Sequence, residues 1–172
     1  MSRPLNFDEK APLERSNVPV IRSVPLTPLY LPVVFRTCAL AVIDCQSHDV
    51  QIANAGHMAP FLRHADQRVE PVGVDETGVP LGVAEDFPYE QFSLKLGPGE
   101  GLALFTDGFS EAMNMENELY GLARLEHQLC GAADGVKQLG ELILSDVKQF
   151  VGERSQSDDM CLLCFGRNPA AK

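Results

Sequence analysis

The spacing of apolar and polar positions shifts along this chain from a strand period to a helix period. Residues 33–44 (VVFRTCALAVID) form an apolar run that predicts a strand. Residues 46–49 read as a polar turn, and 50–54 (VQIAN) alternate as the returning strand of a hairpin. Residues 61–64 and 68–72 predict a second, shorter hairpin around Ala65-Asp66-Gln67. A loop punctuated by glycine and proline follows over 73–88. Residues 92–96 alternate again, Gly97-Pro98-Gly99-Glu100 is a turn, and 102–106 are almost continuously apolar, as in a strand buried on both faces. The period then lengthens. Residues 119–129 place Leu122, Leu125 and Leu129 on one helical stripe, which reads as core, with Gly131 as its end. Residues 136–151 place Val136, Leu139, Ile143, Val147 and Phe150 on the buried side of a longer helix, with Asp134 as N-cap. A last strand is expected over 160–165.

The ends differ from this body. Residues 1–32 carry Pro4, Pro12, Pro19, Pro25, Pro28 and Pro32 and show no clean period, so an irregular lead-in is expected, with one short strand over 18–24. Residues 168–172 read as a disordered tail. Antiparallel strands, two adjacent helices and a closing strand make an α+β layered pattern, a partial α-β-β-α sandwich of antiparallel sheets.

Composition narrows the function classes. At 45% hydrophobic and 22% charged residues, the chain is of globular rather than disordered type. Its formal net charge of -10 and lack of a Lys/Arg cluster argue against nucleic acid and anionic membrane as partners. No apolar stretch approaches the roughly 18 residues of a bilayer span, and the first residues lack the apolar core of a signal peptide, so a cytoplasmic location is expected. The five cysteines are odd in number and without framework spacing, which suits reduced thiols. Cys161 and Cys164 have C-x-x-C spacing, but within an apolar run they read as two small core-lining residues.

The candidate chemistry is acidic. A hydrophobic strand runs directly into Asp107-Gly108, and Asp158-Asp159 opens the last strand. Carboxylates at strand ends suit magnesium or manganese, hard cations that prefer oxygen. The plainer alternatives are a turn aspartate before glycine for Asp107 and a strand-start cap for Asp158. Glu111 reads as supporting such a site or as a solvated residue at the start of a short helix after Gly108. In Asn54-Ala55-Gly56-His57, His57 is expected to fix a turn, with Gly56 supplying a positive φ. His48, His64 and His127 read as surface residues.

Several segments in one order carry a family resemblance. They are Ala41-Val42-Ile43-Asp44, Asn54-Ala55-Gly56-His57 with Pro60, Val79-Pro80-Leu81-Gly82, Leu96-Gly97-Pro98-Gly99-Glu100, the run from Phe105 to Ala112, Tyr120-Gly121-Leu122 and Ser157-Asp158-Asp159-Met160. Over 33–167 the chain resembles the C-terminal part of a PPM-type, protein phosphatase 2C-like domain, in its bacterial branch of sporulation and stress-response serine phosphatases. The resemblance implies a two-metal manganese or magnesium site that activates water against a phosphoserine or phosphothreonine. It makes Asp107 and Asp158 the metal ligands, with Gly108, Glu111, Asp159, Asn54 and His57 around them. It also implies a phosphorylated regulatory protein of the anti-sigma-factor-antagonist type as substrate, and an upstream sensor domain or second chain as partner.

The departure is in the earlier half of that domain. A Gly-Asp-aromatic-aromatic-Asp motif and an Asp-x-x-Gly-His-Gly motif are absent, and residues 1–32 offer Asp8, Glu9 and Glu14 in neither pattern. Such a piece leaves a sheet edge and an apolar face to be covered. A truncated or displaced start is one reading of this. Another is a catalytically inactive remnant that serves as a protein-binding or regulatory module, with the 73–88 loop as a contact.

Overall fold

A computed structural model of the chain describes residues 35–131, 133, 135–156 and 158–169. The expectations for the lead-in, for Asp134 and for residues 170–172 lie outside the described residues.

The first hairpin forms, with β1 (Cys38–Ile43) antiparallel to β2 (Asp49–Ala55); β1 is shorter than the 33–44 run expected, since residues 35–37 lie outside it and Arg36 bridges to Leu81 instead. The Asp44 carboxylate accepts from the backbone amides of Gln46 and Ser47 and so shapes the turn. β5 (Gln91–Lys95) adds to the other side of β2, giving a sheet of order β1-β2-β5. The second predicted hairpin is β3 (Phe61–Arg63) with β4 (Val69–Pro71). Together with β6 (Gly101–Phe105) and β7 (Leu162–Gly166) it makes a second antiparallel sheet of order β4-β3-β6-β7.

Alternation along β6 explains the layering. Leu102 and Leu104 join Val50, Ile52, Leu62 and Leu96 between the two sheets. Ala103 and Phe105 point the other way, into a cluster with Phe61, Phe109, Leu125, Leu129, Leu139 and Ile143. Every residue of β6 is buried, as the continuous apolar run predicts. The helices α2 (Leu122–Leu129) and α3 (Val136–Val151) supply that second cluster. The described layers are therefore sheet, sheet and helices, an α+β arrangement. By register, Leu40 and Val42 lie opposite Ala53 and Gln51 on the outer face of the first sheet, and no described helix covers that face.

Four expectations need correction. The helix predicted from residue 119 begins at Leu122, because Leu119 bridges to Met113 and the Tyr120 amide donates to the Ala112 carbonyl. Leu122 consequently leaves the stripe and is 41% exposed, whereas Leu125 and Leu129 are fully buried. The last strand starts at Leu162 rather than at Met160. Cys161 is exposed and only Cys164 faces the helical core, where burial pushes its thiol up to about 11. Neighbours three apart on a strand cannot share a face.

Candidate functional site

Strand β6 delivers the first acidic residue. Its backbone leaves the sheet at Thr106 and turns into the short helix α1 (Asp107–Ser110), so the Asp107 side chain emerges exposed at the corner. The helix begins at Asp107 itself and includes Gly108, rather than following Gly108 as expected. The Asp107 Oδ1 accepts from the Gly108 amide at 3.0 Å. Glu111 is the C-cap of α1, exposed, with its amide donating to the Asp107 carbonyl at 2.8 Å.

The second acidic segment is joined to this corner by two devices. Thr106 donates its hydroxyl to the Asp159 carbonyl at 2.8 Å and accepts from the Cys161 amide at 2.9 Å. The Thr106 amide also donates to the Cys161 carbonyl at 3.0 Å, which extends the β6–β7 ladder beyond its regular part. The second device is the absence of a side chain at Gly108. A Cβ there would lie 2.5 Å from the Asp159 carbonyl oxygen, so glycine is what lets the two backbones touch. Nothing in the sequence flags Thr106, because its partners lie more than fifty positions away.

Asp158 and Asp159 are exposed, and Asp158 Oδ1 accepts from the Asp159 amide at 2.7 Å. Between Asp158 and α1 lies a cavity of about 10 Å³, lined by Gly108, Met113, Ser155, Gln156, Asp158 and Met160. It has room for about one water. Among the described residues, no group of three or more His, Cys, Asp or Glu side chains is gathered in a way that could hold a metal ion. The acidic corner offers exposed carboxylate oxygens, the donor type that hard divalent cations prefer.

Asn54 and His57 have a different task. Asn54 is buried; its Nδ2 donates to the His57 carbonyl at 3.0 Å, and its Oδ1 accepts from the His57 amide at 2.7 Å. The Asn54 carbonyl accepts from Gly78 and its amide group donates to Thr77, so this residue staples β2 to the 73–88 loop. Gly56 adopts φ 69° with Pro80 packed against it, where a Cβ would sit 2.7 Å from the proline ring. Turn-fixing is thus the observed role, and none of these bonds reaches Asp107 or Asp158.

Two charged clusters lie elsewhere. His64 is not a free surface residue: its Nδ1 is 2.9 Å from Glu100 and its Nε2 is 2.8 Å from Glu70. A ring that donates at both nitrogens is the imidazolium, and the Glu70 and Glu100 bonds raise its pKa above the ordinary value. The other cluster joins the helices. Asp146 on α3 accepts two bonds from Arg124 and one from the Tyr120 hydroxyl, and Arg124 lies over the Phe150 ring at 4.7 Å. Burial, then Asp146, pushes the Tyr120 hydroxyl upward, and Arg124 holds Asp146 below the usual carboxylate range. A cavity of about 230 Å³ adjoins the His64 cluster at the far end of β6 from the acidic corner. Its Arg63 is committed to the carbonyls of Leu129 and Gly131, at the end of α2.

Comparison with known proteins bears on the family and the fold. The family model of Stage II sporulation protein E (SpoIIE) matches residues 9–168. Protein IcfG of Synechocystis is 26% identical over 135 residues, covering 78% of this chain and 21% of that protein. Phosphoserine phosphatase RsbU of Bacillus subtilis is 28% identical over 115 residues, covering 64% of this chain and 34% of that protein. The solved phosphatase domain of SpoIIE from B. subtilis, presoaked with manganese, superposes with a TM-score of 0.59 at 21% identity, covering 79% of this chain and 58% of that one. The chain therefore spans between a fifth and a third of the curated relatives.

Proposed function

The chain belongs to the SpoIIE family of protein phosphatase 2C-type serine phosphatase domains, and on that premise we propose that it carries the C-terminal part of a metal-dependent phosphoserine phosphatase site. Asp107 and Asp158 are the carboxylates of that site. Asp159 and Glu111 stand beside them, and Thr106 and Gly108 hold the two acidic segments together. The single observation that supports this reading most is the joint itself. Segments about fifty residues apart are brought into backbone contact where a side chain at position 108 would collide, and each brings an exposed carboxylate.

Bound manganese or magnesium would supply an activated water and polarise the phosphoryl oxygens. What this chain contributes is negative charge at a fixed corner: Asp107 from the end of β6, and Asp158 from the entry to β7. The backbone amides of the residues that follow them, Gly108 and Asp159, each bind one oxygen of Asp107 and Asp158, which leaves the other oxygen of each carboxylate for a cation. The remaining oxygen donors must come from outside the described residues. By family, the substrate class is a phosphoserine on a small regulatory protein of the anti-sigma-factor-antagonist kind, with a sensor domain or second chain as the regulatory partner.

Turnover of a generic phosphomonoester by the chain, with and without manganese, tests the proposal beside Asp107→Asn. Manganese-dependent turnover that falls by at least about tenfold in the variant is expected. Turnover that the substitution leaves unchanged would remove Asp107 from the site. A second reading, a non-catalytic binding module, is favoured by the lack of a third gathered ligand among the described residues. It is supported if neither protein turns over substrate nor binds manganese.

A further inference from the structure

We propose that Arg154 is a positioning residue for the acidic corner, tying the loop that carries Asp158 to the turn that follows α1. This inference rests on the reading of Asp107 and Asp158 as the functional carboxylates. Helix α3 ends at Gly152, and the chain then loops back toward Asp158. Midway, the Arg154 guanidinium reaches across to a part of the chain some forty residues earlier. Its Nη1 donates to the Asn114 carbonyl and to Asn117 Oδ1, each at 2.8 Å. Its Nη2 lies 3.5 Å from the Met113 sulfur.

The turn it grips is internally braced. Asn114 is buried, and its Oδ1 accepts from the amides of Glu116 at 3.0 Å and Glu118 at 2.8 Å. Its Nδ2 donates to the Glu118 carboxylate at 2.8 Å. Asn117 sits at φ 64°, a conformation asparagine tolerates, and turns its side chain to the guanidinium. The turn is in turn fixed to α1, because the Tyr120 amide donates to Ala112 and the Gly121 amide to Ser110. A rigid path therefore runs from Arg154 to the helix that starts with Asp107.

On the other side, Asp158 is exposed, and Gln156 Nε2 donates to its carbonyl at 2.6 Å. Two bonds tie its surroundings to distant parts of the chain: Thr106 holds the Asp159 carbonyl, and Arg154 holds the near end. Without Arg154, the near end of this segment loses its long-range anchor, so the Asp158 carboxylate samples more positions relative to Asp107. A guanidinium suits this task because its planar fork serves several acceptors at once, which a lysine ammonium on a flexible stem does not.

Hydrogen exchange of the full chain, compared with Arg154→Met and Arg154→Lys, tests this directly. Amides of 113–119, and the bonded amides of Asp159 and Cys161, are expected to exchange at least about tenfold faster in Arg154→Met, as for a lost bond to a charged group, with 61–71 unchanged. Arg154→Lys is expected to rescue incompletely, and it carries the test if the methionine variant does not fold. Wild-type protection at Asp159 and Cys161, or acceleration spread evenly over the chain, would overturn the proposal. Manganese binding read by electron paramagnetic resonance adds a second signature, weakened about tenfold in Arg154→Met. If the wild type binds no manganese, it is the phosphatase reading that fails, and the exchange result still decides the role of Arg154.

Discussion

Gly108 shows how one position can be read in the sequence yet explained only in space. A glycine after a strand-end aspartate is visible as a motif, and its proximity to the site follows from the family resemblance. Its reason is the Asp159 carbonyl, which a Cβ would meet at 2.5 Å. Gly108→Ala is therefore expected to push β7's entry away from the corner and cost about 1–3 kcal/mol, as overpacking does. Differential scanning calorimetry measures this, and an unchanged melting temperature would show that the contact yields freely. Thr106 and Arg154 were not legible as site residues. A threonine in an apolar run and an arginine in a loop are ordinary by type, and their partners come from far along the chain.

Helix α2 carries the lesson at the level of elements. A leucine repeat at helical spacing identifies the helix and its inward positions near the middle, but not its first turn. The backbone of 119–120 is captured by the 112–113 segment, so the helix starts later and Leu122 turns outward. Leu125→Ala is expected to cost about 2–5 kcal/mol as a fully buried leucine, and Leu122→Ala no more than about 0.5 kcal/mol. Urea unfolding of the two variants measures the difference; equal losses would return Leu122 to the core. Helix α3 has the bounds its period predicts, because its inward residues Leu139, Ile143 and Val147 all join the core cluster beneath the second sheet.

For the molecule as a whole, the turn that joins the first sheet to the second, between β5 and β6, is held by the His64 clip. His64 bridges the β3–β4 hairpin to the turn before β6, through Glu70 and Glu100. Its raised pKa means that its contribution is complete below about pH 6.5, the ordinary histidine value, and is lost as pH rises through the higher folded value. Glu70 is held low by His64, and Glu100 by the Gly97 amide and then His64. Their contributions are present above the ordinary carboxylate range and are lost as pH falls through the depressed values. The clip is thus fully formed in the window between the two. Raising the pH from about 6 to about 9 should lower the wild-type melting temperature relative to that of His64→Gln, closing the gap between them. Parallel curves for the two proteins would mean that the imidazolium adds nothing to stability.

By itself the sequence determined the α+β class, the antiparallel hairpins, the doubly buried β6, the extent of α3, and Asp107 and Asp158 as the carboxylates to watch. Each is a local matter of side-chain period or of a charge at a strand end, and hydrophobic burial enforces both wherever the chain folds. The tertiary structure alone decided where α2 begins, which cysteine of the C-x-x-C pair is buried, that His64 is clasped by two glutamates, that Thr106 and Gly108 let the two acidic segments meet, and that Arg154 reaches the turn after α1. These outcomes rest on contacts between distant residues, chosen by which backbone groups found partners once the layers had packed.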